Sequence, residues 1–117
     1  MKLPNPEKAF VDIEKLSGYC LNPVHKRGKH KARLFSSILG LTSDNAGELR
    51  KRLLDIARND DAEPGGEDRY GKRYVIDFTM TTAKGRAKVR STWIVRTREN
   101  FARLTSCYIL KGKEPDK

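Results

Sequence analysis

Between Lys15 and Ser43 the chain carries no acidic residue, and the run His25-Lys26-Arg27-Gly28-Lys29-His30-Lys31-Ala32-Arg33 at its centre holds both histidines of the protein. Imidazoles exchange protons near neutral pH, and lysine and arginine stabilise negative charge as it develops on phosphoryl oxygens. A loop that opens a helix adds free amides and the positive end of the helix dipole, so the run suits an anion, above all a phosphate. The plain alternative is a solvated basic loop, the usual fate of charge runs and exposed histidines. A second basic surface lies far along the chain, where Lys84, Arg86, Lys88, Arg90, Arg96 and Arg98 alternate with core positions and so emerge mostly on one face. Asp77, the sole acid between Arg69 and Arg98, is read as a structural ion-pair partner on that face.

Other chemistries fit less well. Cys20, His25 and His30 with Cys107 would supply four metal ligands, but the spacing matches no common zinc pattern and the surrounding cations oppose a divalent ion. There is no HExxH, Walker loop, GxGxxG or GxSxG, which disfavours nucleotide-cofactor enzymes and serine hydrolases; neither a metal nor a cofactor is expected. Ser91, Thr92, Thr105 and Ser106 read first as strand residues, and Trp93 and Tyr108 as mainly core.

The elements that must position these residues follow from apolar spacing. Asp12 is an N-cap for a helix over Ile13 to Cys20, where Ile13, Leu16, Tyr19 and Cys20 recur at helical intervals until Asn22-Pro23 stops it. Ala32, Leu34, Phe35, Ile38 and Leu39 mark a second helix from Lys29 that ends at Gly40 in the left-handed conformation. Thr42, Ser43 and Asp44 offer caps for a third, with Leu49, Leu53, Ile56 and Ala57 on its buried stripe and its end near Asn59. Asn59 to Asp68, rich in Asp, Glu, Gly and Pro, reads as a loop, after which the apolar period becomes two. Arg73–Met80 and Arg86–Arg96 form a hairpin across Ala83-Lys84-Gly85, with Gly85 at positive φ, and Ala87, Val89, Ser91, Trp93 and Val95 face the helices. Arg103 to Leu110 is the last strand, with Leu104, Ser106, Tyr108 and Leu110 on one face and Arg103, Thr105, Cys107 and Ile109 on the other.

The expectation is one α+β domain over 1–117, with N-terminal helices packed on a three- to four-stranded antiparallel meander. Its parts are a helical half at about 6–58, an acidic loop 59–68, a β-meander 69–111 and a frayed tail 112–117. The 117 residues suffice for one modest core. A net charge of +10 points to an anionic partner, whether nucleic acid, an acidic protein or a membrane surface. No apolar run reaches the roughly 18 residues of a membrane span, the N-terminus lacks the apolar centre of a secretory signal, and two cysteines without CxxC spacing predict no disulfide framework. The reading is a cytoplasmic protein with no membrane partner.

The strings Leu16-Ser17-Gly18-Tyr19-Cys20-Leu21-Asn22-Pro23-Val24-His25, Gly28 to Phe35 and Leu39-Gly40-Leu41 resemble the start of a bacterial domain-of-unknown-function family. Tyr70 to Tyr74, Val89 to Val95 and Arg103 to Tyr108 resemble its later blocks, so the likeness spans nearly the whole chain. The layout of short helices, a basic helix start and an antiparallel sheet is similar to the barnase, EndoU, colicin and RelE superfamily of small ribonucleases, many of them toxins. That resemblance implies RNA cleavage without metal by His, Lys, Arg and hydroxyl residues of an early helix and the sheet. His25, Lys29, His30 and Lys31 would correspond to the helix group, and Arg90, Thr92 and Thr105 to the sheet group.

The leading expectation is a metal-independent ribonuclease of a bacterial toxin system, with an acidic immunity or antitoxin protein as a further partner. His30 or His25 would transfer protons, Lys29, Lys31 and Arg90 would stabilise phosphoryl charge, and Lys26, Arg27, Arg33, Arg86, Lys88 and Arg96 would hold the RNA. The rivals are a non-catalytic module that binds nucleic acid or an acidic protein through the same surface, and an accessory subunit whose charge only maintains solubility.

Overall fold

A computed structural model describes residues 1–110; the expected tail at 112–117 lies outside the described residues. The architecture is α+β, with the helices preceding a four-stranded antiparallel sheet. Helix α1 (Ile13–Lys15) starts at Asp12, whose carboxylate accepts from the Glu14 amide, and runs into a wider π-helical turn, Leu16–Cys20. Helix α2 (Lys29–Leu34) likewise passes into a π turn, Phe35–Leu39. Gly40 then takes φ 69°, which carries the chain round so that the Leu41 amide reaches back to the Phe35 carbonyl at 3.0 Å. Thr42 and Asn45 cap each other reciprocally and open a short 3-10 turn that leads into α3 (Ala46–Asn59). Its buried side includes Leu49, Leu53, Ile56 and Ala57, as the periodicity predicts. No helix among the described residues is long and apolar enough to cross a membrane.

The strands are β1 (Glu63–Asp68), β2 (Gly71–Thr81), β3 (Arg86–Arg96) and β4 (Arg103–Ile109), ordered β1-β2-β3-β4. Residues 63–68, expected as loop, pair with β2, and every one of them is exposed. An edge strand with both faces in water needs no apolar alternation, so its composition reads as a loop while its backbone still completes a ladder. Gly71 follows at φ 148°, where any Cβ would collide with the main chain of Val95. Gly85 corrects the expected reason for a glycine in the β2–β3 turn: its φ is not positive, and an added Cβ would instead meet the Ile38 carbonyl oxygen at 2.7 Å.

The helices cover one face of the sheet. Trp93, Val89, Ile76, Leu49, Leu53, Leu16 and Phe35 are all buried in that layer. Ser91 is the buried polar side chain in it, and it is satisfied on both sides: the Trp93 indole N–H donates to its hydroxyl at 2.9 Å, and the hydroxyl donates to the Ile76 carbonyl at 2.7 Å. A buried group paired this way is cheap, but removing its partner is not.

Strand β4 departs from simple alternation. Thr92 pairs with Ser106 and Trp93 with Leu104, so Thr105 is an extra residue in a bulge. The phase therefore changes at Thr105. Leu104, Cys107 and Ile109 are buried, while Ser106 and Tyr108 stand beside Thr92 and Arg90 on the opposite face. The two-face assignment of this strand is overturned, and Tyr108 is half-buried on the outer face instead of being a core residue.

Replacing Ser91 by Ala leaves the Trp93 indole N–H without its acceptor in a dry layer. Urea denaturation is expected to show a loss of about 1–3 kcal/mol with an unchanged slope; a loss within about 0.5 kcal/mol, the range of ordinary surface substitutions, would contradict the role given to this pair.

Candidate functional site

The bulge turns Thr105 and Ser106 toward Thr92 and brings Tyr108 opposite Arg90. The Thr92 and Thr105 hydroxyls lie 2.6 Å apart, and the Thr92 hydroxyl also donates to the Ser106 carbonyl at 3.3 Å. Arg90 is clamped from β2, where Asp77 accepts from its Nε and Nη2 at 2.8 Å each. That pair keeps the guanidinium more firmly protonated than usual, chiefly through the Asp77 hydrogen bonds and charge, with Tyr108 adding to them. Cross-strand registration thus lays Asp77, Arg90 and Tyr108 in a row across the outer face. The expected Asp77 ion pair is present.

Helix α2 closes the row. Lys31 reaches the β4 edge, where its ammonium donates to the Tyr19 hydroxyl at 3.0 Å and to the Ser106 hydroxyl at 3.2 Å. It lies 4.8 Å from the Tyr19 ring centroid and 5.2 Å from that of Tyr108, which suits a cation held between two π faces. Lys31 is half-buried, as are Arg90 and Tyr108. Two cations therefore converge on Tyr108, Lys31 over its ring and Arg90 from the paired position of β3, beside the hydroxyls of Thr92, Thr105 and Ser106.

Of the expected site residues, the structure gathers Lys31, Arg90, Thr92 and Thr105. His25 stands one residue away from the cluster: its ring meets Tyr19 edge-on at 4.8 Å between centroids. Its Nδ1 accepts from the Arg27 and Gly28 amides, both at 2.9 Å. The geometry makes His25 an organiser of the 22–28 loop. Gly28 closes that loop against the Tyr19 carbonyl, where no Cβ fits.

Lys29 and His30 are exposed on α2 and share none of these contacts. Lys29 instead lines a groove with Arg33 on another side of the helix. Lys26 and Arg27 are exposed on the loop beside His25, and Arg86, Lys88 and Arg96 are exposed along β3. Tyr19, Ser106 and Tyr108 are not among the site residues expected from sequence, which reads Ser106 as a strand residue and Tyr108 as mainly core. Tyr19 fitted the apolar spacing of a helix, and the other two were hidden by a bulge that no periodicity reveals. Among the described residues no three His, Cys, Asp or Glu side chains come together as a metal site.

Cys20 and Cys107 are free, buried and adjacent beneath this cluster. Hydrogen bonding from the Cys107 thiol is the largest influence on Cys20; with the Cys107 backbone amide, and weaker help from Ser106 and Lys31, it overcomes the burial that opposes ionisation and pushes the Cys20 thiol down to about 7. Cys107 is pushed up by the same hydrogen bond and by burial beside its neighbour.

The family model described as "Domain of unknown function (DUF6883)" matches residues 2–111. No curated protein matches the chain. Among solved structures, the fold is similar to one chain of a contact-dependent growth inhibition toxin–immunity protein complex from Klebsiella pneumoniae 342, with a TM-score of 0.69 at 14% identity over 92% of this chain and 97% of that one.

An ultraviolet thiolate titration of the native protein is expected to show a step near pH 7 from Cys20. The Cys107→Ala variant removes the main interaction that favours the thiolate, so the step is expected to move to higher pH. A step that stays in place would separate the Cys20 ionisation from its neighbour.

Proposed function

For this chain, which belongs to the DUF6883 family, we propose that it is a metal-independent endoribonuclease, acting as the toxin of a bacterial toxin–immunity pair. The observation that supports cleavage is the convergence of Lys31 and Arg90 on a hydroxyl-lined patch at Tyr108. Half-buried cations fixed before substrate arrives stabilise developing phosphoryl charge without reorganising during the reaction. Asp77 holds Arg90 in place, and Tyr19 with Ser106 does the same for Lys31.

In this reading the RNA 2′-hydroxyl oxygen bonds to the adjacent phosphorus as the bond from phosphorus to O5′ breaks. The 2′-hydroxyl proton passes to water, and the leaving O5′ takes a proton from the Lys31 ammonium, which solvent then restores. Arg90 faces the non-bridging oxygens with the part of its guanidinium that Asp77 leaves free. The products are a 2′,3′-cyclic phosphate and a 5′-hydroxyl. His25 acts indirectly, by holding the loop that backs Tyr19, and His30 stands outside the reacting centre.

The toxin assignment is supported by the likeness of fold to a chain of a toxin–immunity complex, together with a net charge of +10 that suits both RNA and an acidic immunity protein. A second reading is favoured by the saturation of two Arg90 nitrogens by Asp77: a module that grips RNA or an acidic protein on this face without cutting.

Incubating the purified protein with total RNA in EDTA is expected to yield cyclic-phosphate ends. Lys31→Ala and Arg90→Ala each lower the rate by about 10²- to 10³-fold while circular dichroism stays native. Intact RNA with salt-sensitive binding would replace this reading by the second one, and unimpaired cleavage by both variants would remove the cluster from the chemistry. Expression in a bacterial host is expected to arrest growth, and the Lys31→Ala variant to restore it; arrest that persists in that variant would separate toxicity from the cluster.

A further inference from the structure

Resting on the reading above, we infer that the groove between α2 and the turn into α3 binds the backbone phosphates of the same RNA strand that enters the cluster, flanking the cleaved bond. The groove has a volume of about 340 Å³ and is walled by Lys29, Arg33, Ser36, Ser37, Thr42 and Ser43. Its lining contains no carboxylate. The groove between α3 and the end of β2 differs, since Glu48 and Asp55 stand there among Lys51, Arg52 and Arg58. So does the one at the far end of the hairpin, where Glu67 and Glu99 accompany Lys72, Arg96 and Arg98. In the α2 groove, whose remaining lining is Leu21, Pro23, Ala32 and Leu41, an anion meets two cations and no opposing carboxylate, whereas in the other two grooves it meets both signs of charge.

The groove cations are also unspent. Arg52, Arg73, Arg90 and Arg103 each have a carboxylate partner. Among the described residues Lys29 and Arg33 make no ion pair or side-chain hydrogen bond, and the hydroxyls of Ser36, Ser37 and Ser43 are likewise unengaged. Unpaired cations beside neutral hydroxyl donors are the set that nucleic-acid binders direct at phosphate and sugar oxygens. Position links the groove to the cluster, because α2 presents Lys31 to the sheet edge and Lys29 and Arg33 to the groove. A helix with its side chains is about 10–12 Å across, so a strand that rounds α2 from the cluster to the groove follows a path of about 16–19 Å, a few nucleotides of extended backbone. Lys29 is thereby placed in substrate grip and not at the reacting phosphate.

The test compares a dinucleotide with an oligonucleotide of about 12 nucleotides, within the range one small domain covers. Both carry 2′-O-methyl groups so that neither is cut. Lys29→Ala/Arg33→Ala is expected to lower the ratio of oligonucleotide to dinucleotide affinity about tenfold and to flatten the salt slope by about 1.4, because two single-strand phosphates are then no longer neutralised. Lys51→Ala/Arg58→Ala removes the same charge from the mixed groove and is expected to change that ratio less than about twofold, as a remote charge effect screened by salt would. Equal ratio losses in both variants, or an unchanged ratio in the first, would overturn the groove assignment. Cleavage of unmodified RNA by the wild-type protein, measured alongside, reports separately on the nuclease reading: a protein that binds in the groove yet does not cut keeps this inference and loses that one.

Discussion

A four-stranded sheet with one apolar face has to be covered, and the organisation of this protein follows from how Trp93 is buried in that cover. Its indole fills the layer between strands and helices, with a burial worth about 4–6 kcal/mol by area. The indole N–H would be costly there without Ser91, which hands the hydrogen bond on to Ile76. Ser91 and Trp93 occupy alternate positions of β3, so one strand face supplies both the bulk of the core and the means of satisfying its polar atom. The opposite face of the same strand is then committed to Lys88, Arg90 and Thr92, and the cationic surface is a consequence of the pleat.

The bulge in β4 joins that surface to the helices. Without an extra residue at Thr105, strict alternation would put Leu104 and Ser106 on one face and leave Cys107 outside. With it, Leu104 and Cys107 both turn inward, and Ser106 and Tyr108 both turn outward, where Lys31 meets them. A bulge re-aims side chains at small cost, and at a sheet edge it also twists the strand away from pairing. The Phe10 segment adds to this protection by bridging Arg103 at the same edge, with the Phe10 amide bonded to Ala102 and its carbonyl accepting from Leu104.

Electrostatics divides the surface into regions with different duties. Three arginines on the sheet are paired, Arg73 with Asp68, Arg90 with Asp77, and Arg103 with Glu99 between the rings of Phe10 and Phe101. Such pairs hold a guanidinium in one geometry, which suits a fixed site, although an exposed pair adds little stability. The first turn of α2 and the loop before it carry exposed cations that follow the local field of an incoming anion. Lys31 belongs to neither group: it is a half-buried cation held by aromatic faces and neutral hydroxyls.

Local physics wrote much of this into the chain. The helix starts at Asp12 and Thr42, the stop at Gly40, the buried stripe of α3 and the alternation of β2 and β3 all depend on neighbours within a few residues, and all are legible without a structure. Strand β1 was hidden because a solvated edge strand needs only a backbone partner, and that partner is set by the fold. The candidate site was half legible. Residue type marked out Lys31, Arg90, Thr92 and Thr105, but spacing along α2 could not tell Lys31 from Lys29, two residues away, since the choice depends on which side of the helix meets β4. Sequence by itself determined the fold class, the charge and the inventory of reactive groups, because these are sums over local choices. Tertiary structure alone decided that Tyr19, Lys31, Arg90 and Tyr108 meet, because their contact depends on a one-residue bulge and a helix docking that bring together residues far apart in the chain.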